Sequence, residues 1–213
     1  MNTDLMAKLQ QSFEVNNPFY YRRFSDAENN LFYRYYQLVL KWNDRLHLTT
    51  ITSPSEFAER HLLESAFALQ HLLPTIQQVW DIGSGAGIPG IPFAILRPDL
   101  AVNLIESNKK KAIFLKEVKF ELKIHNLQIF NQRFEEVKGV VANAGVTTRA
   151  LDDLSRLTPK ILKFGQPGSQ FLFLGNEQLL EIIQMSLLLD WNVSSFSIPD
   201  SHTRRVISLT RFT

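Results

Sequence analysis

Residues 79–90 read V-W-D-I-G-S-G-A-G-I-P-G, and this stretch decides the fold. Asp81 closes a short apolar run, and Gly83, Gly85 and Gly87 follow at alternate positions. Glycine is the residue that lets a turn bring its backbone close to a ligand, because it has no Cβ. The stretch lies where a buried strand ends and a helix begins, which is where open α/β sheets bind ligands. The sequence therefore predicts a nucleotide-type cofactor site at this turn.

From about residue 77, short apolar runs alternate with amphipathic stretches. Strands are predicted at 79–82, 102–105, 127–130, 146–148 and 171–174, and helices at 91–96, 112–122, 154–162 and 179–189. This alternation predicts an α/β fold, a mostly parallel Rossmann-like sheet with helices on both faces. Two last strands, at 192–198 and 206–212, are joined by a short polar turn and should form an antiparallel hairpin at a sheet edge.

The first third of the chain is predicted to be helical. Ser25 and Glu28 form a capping box, and apolar residues at three- and four-residue steps extend that helix to about Leu46. A second capping box, with Pro54 at its first helical position, begins a helix that should end at Pro74. We therefore divide the chain into an N-terminal helical cap, residues 1–76, and a sheet domain, residues 77–213.

The composition is that of an ordinary soluble globular protein. The 213 residues are 45% hydrophobic and 21% charged, and the net charge of +2 gives no argument for nucleic acid. The absence of Cys excludes disulfides, thiolate metal sites and a Cys nucleophile, and the histidines show no metal-ligand spacing, so no metal is predicted. We expect a cytoplasmic protein without membrane contact, since no apolar run is long enough to span a bilayer and the N-terminus does not resemble a secretory signal.

Residues 85–90 also satisfy G-x-G-x-x-G, so a dinucleotide site is the competing interpretation. Two features favour S-adenosyl-L-methionine instead. Asp81 at the strand end suits the ammonium group of an amino-acid tail and does not suit a pyrophosphate. Pro89 has no N–H to give to a phosphate. Glu106, which ends the next strand, can accept both ribose hydroxyls of an adenosine, a feature that NAD and S-adenosyl-L-methionine sites share.

Several segments together resemble one known family. They are D-I-G-S-G-A-G-I-P-G-I-P at 81–92, L-R-P-D at 96–99, S-N-K-K-K-A-I-F-L-K-E-V at 107–118, and K-W-N, H-L-T and R-H-L-L-E-S at 41–43, 47–49 and 60–65. The combination is similar to the small-subunit ribosomal RNA guanine-N7 methyltransferases (methyltransferase G), also called the glucose-inhibited division protein B family. The resemblance covers about residues 30–212.

This resemblance implies a class I S-adenosyl-L-methionine-dependent methyltransferase fold. The family's cofactor contacts map onto Gly83, Ile88, the pair Phe134 and Glu135, and Arg149, with Glu106 holding the ribose. The implied substrate is N7 of a guanine in the 530 loop of 16S rRNA, either as naked rRNA or in the 30S particle. The chain departs from the family pattern at 143–144 (N-A for F-D), 174–176 (L-G-N for L-K-G) and 204–205 (R-R for R-H), which bears on substrate contacts and on activity.

Methyl transfer to guanine N7 uses a lone pair that carries no proton, so we nominate no acid–base catalyst. His61, beside Arg60 on a predicted helix, could contact RNA or the guanine, or could be a half-buried structural histidine. The tyrosines and Trp42 of the first helix could stack on a base, or belong to the core. The candidate RNA-binding residues are Arg22, Arg23, Lys109, Lys110, Lys111, Arg204 and Arg205.

Three other functions stay open at this point. The first is an NAD-dependent oxidoreductase, and the second is an S-adenosyl-L-methionine-dependent methyltransferase for small molecules, with the helical cap as a lid. The third is an RNA-binding protein without activity, suggested by the missing lysine after Leu174. We expect a monomer.

Overall fold

A computed structural model describes residues 24–149, 154–186, 190–199 and 201–211. These residues form one sheet of seven strands: β1 (Gln78–Ile82), β2 (Ala101–Ile105), β3 (Leu127–Phe130), β4 (Gly145–Arg149), β5 (Gln170–Asn176), β6 (Trp191–Ser197) and β7 (Arg204–Arg211). The strand order is β3-β2-β1-β4-β5-β7-β6. The first five strands are parallel, whereas β7 pairs antiparallel with both β5 and β6.

This topology confirms the predicted fold class, including the C-terminal hairpin at one edge. The strand order reverses direction between β1 and β4, which are neighbours in the sheet. Open parallel sheets bind their ligands at such a switch point, beyond the carboxyl ends of the strands. The glycine turn follows β1 and therefore lies at this position.

The helices are α1 (Asp26–Leu46), α2 (Pro54–Phe57), α3 (Glu64–Gln70), α4 (Gly90–Leu96), α5 (Lys109–Leu122), α6 (Leu154–Phe164) and α7 (Glu177–Ser186). A π-helical segment, Ala58–Leu63, joins α2 to α3, so that a nearly continuous helical stretch runs from 54 to 70. This helical stretch ends before Pro74. At residues 71–72 the backbone changes to the tighter i→i−3 pattern, in which His71 N donates to Ala68 O and Leu72 N donates to Leu69 O. Residues 187–189, the predicted end of the last helix, lie outside the described part.

Local side-chain bonds explain where the first helices begin. Ser25 Oγ accepts a bond from Glu28 N (3.3 Å), while Glu28 Oε2 accepts one from Ser25 N (2.7 Å), which completes the predicted capping box. Ser53 Oγ likewise accepts from Glu56 N (3.3 Å) ahead of Pro54. Both helix starts are therefore confirmed.

The helical cap covers one face of the sheet and shares its core. One cluster of buried residues contains Phe32 and Phe57 from the cap, Phe93 and Phe114 from α4 and α5, and Leu104 from β2. A second cluster covers the opposite face. The predicted boundary at residue 76 falls in the turn before β1, and the first cluster extends across it, so the two parts are packed as adjoining layers. None of the described helices has the length and hydropathy to cross a membrane.

Candidate active site

The turn after β1 has the conformation that its glycines permit. The φ angles of Gly83, Gly85 and Gly87 are +70°, +55° and +91°, in the left-handed region that residues with a Cβ rarely adopt. Gly83 N and Ser84 N both donate to Ile105 O, at 2.9 and 3.1 Å, so the turn is joined to the end of β2. The backbone path therefore depends on these glycines.

A cavity of about 200 Å³ opens beside this turn. Its walls include Ile82, Gly83 and Ile105 from the ends of β1 and β2, and Phe134, Glu135 and Leu157 from the opposite side. Polar and charged side chains, among them Ser107, Gln132 and Lys160, also line it, and a concave space that combines apolar walls with polar groups can hold a small molecule. The structure thus brings together Gly83, Phe134 and Glu135, which lie far apart in the sequence. We call this space the first cavity.

Glu106 lies next to the first cavity and is bonded to the glycine turn. Its Oε2 accepts from Gly85 N (2.9 Å) and its Oε1 accepts from Asn108 N (2.7 Å), while only 7% of the residue is exposed. Its neighbours Ile105 and Ser107 line the cavity. The carboxylate is therefore held at the tip of β2, where a ribose beside Gly83 could meet it.

Asp81 lies beneath the turn and has no exposed surface. Its Oδ2 accepts from Gly90 N (3.3 Å), whereas Oδ1 has no hydrogen-bond partner among the described residues. Burial, with a smaller contribution from the Glu106 charge, raises the pKa of Asp81 to about 7. A buried acceptor without a donor fits a ligand that supplies N–H groups, as the amino-acid tail of S-adenosyl-L-methionine would, so contact with that tail stays a prediction.

Ile88 and Tyr35 fix the other side of the turn. Ile88 belongs to the apolar core, and its N–H donates to Ser84 O (3.3 Å). Tyr35, on α1, is fully buried and donates from its hydroxyl to Ala86 O (2.6 Å). The sequence left Tyr35 open between core and base stacking, and the structure places it in the core. For the bond to Ala86, the sequence offered only the general rule that a buried tyrosine hydroxyl needs a hydrogen-bond partner.

A second cavity, of about 290 Å³, lies at the ends of β4 and β5. Its walls include Arg60, Glu64, Arg149, Asn176, Ile198 and Arg204. Glu64 is only 3% exposed and is ion-paired with three arginines: Arg60 Nε lies 3.3 Å from Oε1, Arg149 Nη2 lies 3.3 Å from Oε2, and Arg204 also pairs with Oε1. Glu64 was not predicted as a site residue, because Arg60 is an ordinary i,i+4 partner on the same helical stretch and the other two partners, Arg149 and Arg204, come from distant parts of the chain.

Arg149 lies in the second cavity and does not join Gly83 and Phe134 in the first. Its Nη1 donates to Arg60 O (2.6 Å). Burial, followed by the charge of Arg60, lowers the pKa of Arg149 to about 10, so the guanidinium stays charged at neutral pH. The cofactor contact that the resemblance implied for Arg149 is therefore not apparent in this arrangement.

His61 is buried and 5% exposed. Its Nε2 lies 2.9 Å from Thr49 Oγ1, and its ring packs edge-on against Phe57. Burial, followed by the charge of Arg149, lowers the pKa of His61 to about 3, which keeps the ring neutral. This placement matches the structural alternative for His61, since the side chain offers almost no surface to RNA.

The candidate RNA-binding residues have different surroundings. Lys109 and Lys110 are exposed at the start of α5, and Lys111 is half-buried. Arg204 points into the second cavity, whereas Arg205 donates from Nε to Glu177 Oε2 (2.6 Å). Arg22 and Arg23 lie outside the described residues.

The departures from the family pattern also have defined places. Asn143 is in the left-handed region (φ +57°), and Ala144 is fully buried. Gly175 lines the second cavity, and a Cβ added there would lie 2.3 Å from Leu179 Cδ2. A lysine at 175 would therefore require Leu179 to move.

The fold and the glycine turn define the class: a Rossmann-like fold of the class I S-adenosyl-L-methionine-dependent methyltransferases. The structure is similar to a ribosomal protein L11 methylase from Lactobacillus delbrueckii subsp. bulgaricus, with a TM-score of 0.57, 14% identity, and coverage of 70% of this chain and 77% of that one. It is also similar to the glycopeptide N-methyltransferase MtfA complexed with S-adenosyl-L-methionine, with a TM-score of 0.57, 10% identity, and coverage of 70% and 93%. At these identities the similarity establishes the fold.

Sequence comparison gives the family. The model of the rRNA small subunit methyltransferase G family matches residues 28–199. A ribosomal RNA small subunit methyltransferase G of Pseudomonas entomophila is 37% identical over 70% of this chain and 68% of its own length. One of Nitrosomonas eutropha is 40% identical over 58% and 56%. This chain belongs to the rRNA small subunit methyltransferase G family.

Proposed function

We propose that this protein transfers a methyl group from S-adenosyl-L-methionine to N7 of a guanine in the 530 loop of 16S rRNA. Membership of a family of rRNA methyltransferases supports the reaction class. The observation that carries the choice of cofactor is the first cavity, where a bare glycine backbone faces Phe134 and Glu135 next to the Glu106 carboxylate.

The residues of the first cavity suit the parts of this cofactor. Phe134 and the ends of β1 and β2 would enclose the adenine, Glu106 would accept the ribose hydroxyls, and Gly83 and Gly85 would allow the close approach. Asp81 Oδ1, which is buried and accepts no hydrogen bond from the described part of the chain, would face the ammonium group. When bound, S-adenosyl-L-methionine supplies an electrophilic methyl group on a sulfonium.

The nucleophile needs no base, because guanine N7 presents its lone pair at neutral pH. The protein must then hold N7 in line with the methyl group, and such alignment can supply up to about 7–11 kcal/mol of the barrier reduction. We assign no acid–base catalyst.

RNA binding in this proposal rests on local positive charge, because the net charge is only +2. Lys109 and Lys110 are exposed at the start of α5, shortly after Glu106 in the sequence, and in this proposal they would contact phosphates near the cofactor. Lys111, Arg205 and the two arginines at 22–23 are secondary candidates. We further propose a cytoplasmic monomer that acts on 16S rRNA or on the 30S particle.

Calorimetry is the most direct test of the alternative function, an NAD-dependent oxidoreductase. Two observations favour the methyltransferase: the buried Asp81 Oδ1 accepts no hydrogen bond from any residue that the structure describes, and Pro89 caps the start of α4 with no N–H to offer. We expect S-adenosylhomocysteine to bind the purified protein and NADH not to bind. Binding of NADH without binding of S-adenosylhomocysteine would contradict the proposal.

The substrate is tested by transfer of a radiolabelled methyl group to 16S rRNA, 30S particles and a metabolite mixture in parallel. We expect label in RNA, at one guanine, and the same guanine unmodified in cells that lack the protein. Label confined to metabolites would establish the small-molecule methyltransferase instead, and RNA affinity without turnover would establish the inactive RNA-binding protein.

A further inference from the structure

The outward face of α5 carries a row of exposed lysines with two apolar side chains between them. Phe120 is 80% exposed and Ile113 is 47% exposed. Positions 109, 113, 116, 120 and 123 follow one another at four- and three-residue steps, the spacing that brings side chains to one side of a helix. All five residues are exposed, and we call them the α5 stripe: Lys109, Ile113, Lys116, Phe120 and Lys123.

The apolar side of α5 is packed in the core, away from this stripe. Its buried residues are Ala112, Phe114, Leu115, Val118 and Leu122. Among the described residues, Phe120 is the only exposed Phe, Tyr or Trp. Isolated apolar side chains are common on protein surfaces, but an aromatic ring between lysines is the combination with which proteins hold single-stranded nucleic acid. The ring can stack on a base while the lysines meet the phosphates.

The surroundings of the α5 stripe have an excess of positive charge. Residues 109–123 contain six lysines and two glutamates. Helix α1 adds two cations beside them: Lys41 Nζ lies 2.9 Å from Glu117 Oε1, and Arg34 donates to the carbonyl oxygen of Glu121. Because the net charge of the whole chain is only +2, this excess is local, and it suits a polyanion.

The α5 stripe begins close to the first cavity. Ser107 lines that cavity, and Asn108 is the N-cap of α5, where its Oδ1 accepts from the backbone N of the second and third helical residues at 2.9 and 3.2 Å. At a rise of 1.5 Å per residue, the stripe extends about 21 Å from Lys109 to Lys123. A strand bound along it would therefore have one end near the cofactor site.

We propose that the α5 stripe binds a single-stranded segment of the RNA substrate, with Phe120 stacked on an unpaired base and the three lysines against phosphates. The inference rests on the proposed function and extends it to residues beyond the predicted lysines at 109–111. A membrane surface suits the stripe less well. The broad apolar side of α5, which a lipid-bound helix would insert, is packed in the core, and two apolar side chains offer little area to bury.

The first test measures binding of a fluorescein-labelled single-stranded RNA of about twelve nucleotides by anisotropy. We expect Phe120→Ala to weaken this binding about five- to one-hundredfold, as for the loss of one stacked base, and Phe120→Trp to retain it. Met185→Ala is the matched control, because Met185 is 88% exposed on α7. The affinity for S-adenosylhomocysteine should be unchanged in all three variants and reports on folding. Equal RNA affinity of Phe120→Ala and Met185→Ala would overturn the proposal.

The second test examines the lysines through the salt dependence of the same binding. We expect Lys116→Gln to reduce the slope of log K against log salt concentration by about 0.7, the value for one phosphate contact with a single strand. Phe120→Ala should leave the slope unchanged, since stacking releases no counterions. Lys163→Gln is the control, because Lys163 is exposed on α6, which packs on the opposite face of the sheet. A slope for Lys116→Gln equal to that of the unchanged protein would contradict the phosphate contact.

Methyl transfer to rRNA, measured with the same variants, separates this inference from the proposed function. Binding of single-stranded RNA that depends on Phe120, without methyl transfer to any RNA, would reject the function and keep the stripe. Methyl transfer to rRNA with the same kcat/KM in Phe120→Ala and the unchanged protein would keep the function and reject the stripe. Binding to phosphatidylserine vesicles that is lost in Phe120→Ala, with RNA affinity unaffected, would assign the stripe to a membrane surface and overturn the proposal.

Discussion

The hydroxyl of Tyr35 donates a 2.6 Å hydrogen bond to the carbonyl oxygen of Ala86, so the helical cap holds the glycine turn directly. The two residues are 51 positions apart, and both are buried. The turn is therefore held from both sides, by Tyr35 of the cap and by Glu106 of the sheet, which bonds Gly85 N. Changes in the cap should consequently alter cofactor binding.

We expect Tyr35→Phe to lower the free energy of unfolding by about 1–3 kcal/mol, because the Ala86 carbonyl is left buried without a donor. The affinity for S-adenosylhomocysteine should fall as well, since the turn loses its hydrogen bond to the helical cap. Tyr36→Phe is the matched control: Tyr36 also donates a 2.6 Å bond, but to Thr52 O, away from the turn. Chemical denaturation and calorimetry measure the two effects. Equal loss of affinity in both variants would show that Tyr35 does not act through the turn.

Gly83→Val should abolish cofactor binding. A β-branched residue is strained at φ +70°, and its side chain would enter the first cavity. Gly139→Val is the control that separates the effect of backbone strain from the effect of filling the cavity. Gly139 has a similar φ of +87°, and nothing lies within 4 Å of an added Cβ there. We expect both variants to lose stability and the Gly83 variant alone to lose calorimetric binding. Undiminished affinity in Gly83→Val would refute the placement of the cofactor.

Glu106→Gln should weaken S-adenosylhomocysteine binding by about 1–3 kcal/mol, through the loss of charge-assisted hydrogen bonds. Some destabilisation is also expected, because the side chain accepts from Gly85 N and Asn108 N. Glu136→Gln, an exposed position near the first cavity, serves as the control. A titration that cannot distinguish Glu106→Gln from Glu136→Gln would remove Glu106 from the site.

The raised pKa of Asp81 predicts a pH-dependent stability. The pKa is about 7 in the folded protein and 3.8 in the reference state, so between these values the unfolded chain binds fewer protons at Asp81 than the folded one. The contribution of Asp81 to stability is therefore present below pH 4 and is lost as the pH rises to about 7. His61 acts in the opposite direction, since its pKa falls from 6.5 to about 3 and its contribution is lost as the pH falls.

Asp81→Asn should remove the first of these two contributions. Relative to the unchanged protein, the variant should gain stability progressively between pH 4 and 7, by a few kcal/mol in total. Denaturant titrations at pH 4, 5, 6, 7 and 8 measure this difference. A difference between the two proteins that stays constant over this range would show that Asp81 titrates normally in the folded state.

Much of the fold was predictable because its signals are local. The capping box at Ser25, the glycines after β1 and the alternation of apolar runs are each contained within a few residues, and the structure confirms the elements they indicate. The π-helical segment at 58–63 and the early end of the helix at Gln70 were not predicted, because hydrophobic periodicity does not resolve how many residues each turn contains.

The site residues divide in the same way. Gly83 and Glu106 were assigned from the rule that the carboxyl ends of neighbouring parallel strands meet, and the structure brings both to one edge of the sheet. Arg149 was assigned by resemblance, and His61 was left open between an RNA contact and a structural role. Arg149 lies in the second cavity, and His61 is buried against Phe57, as the structural alternative expects. Neither signal contains information about which way a side chain points.

The order of residues by itself determined the class of fold, the glycine turn after β1 and the family to which the chain belongs. Each of these depends on backbone conformation or on motifs that are continuous in the chain. The tertiary structure decided that Tyr35 supports the turn and that Glu64 gathers three arginines around a second cavity. Such clusters join residues up to 140 positions apart, as Glu64 and Arg204 are (204 − 64), and the packing of the cap on the sheet is what brings them into contact.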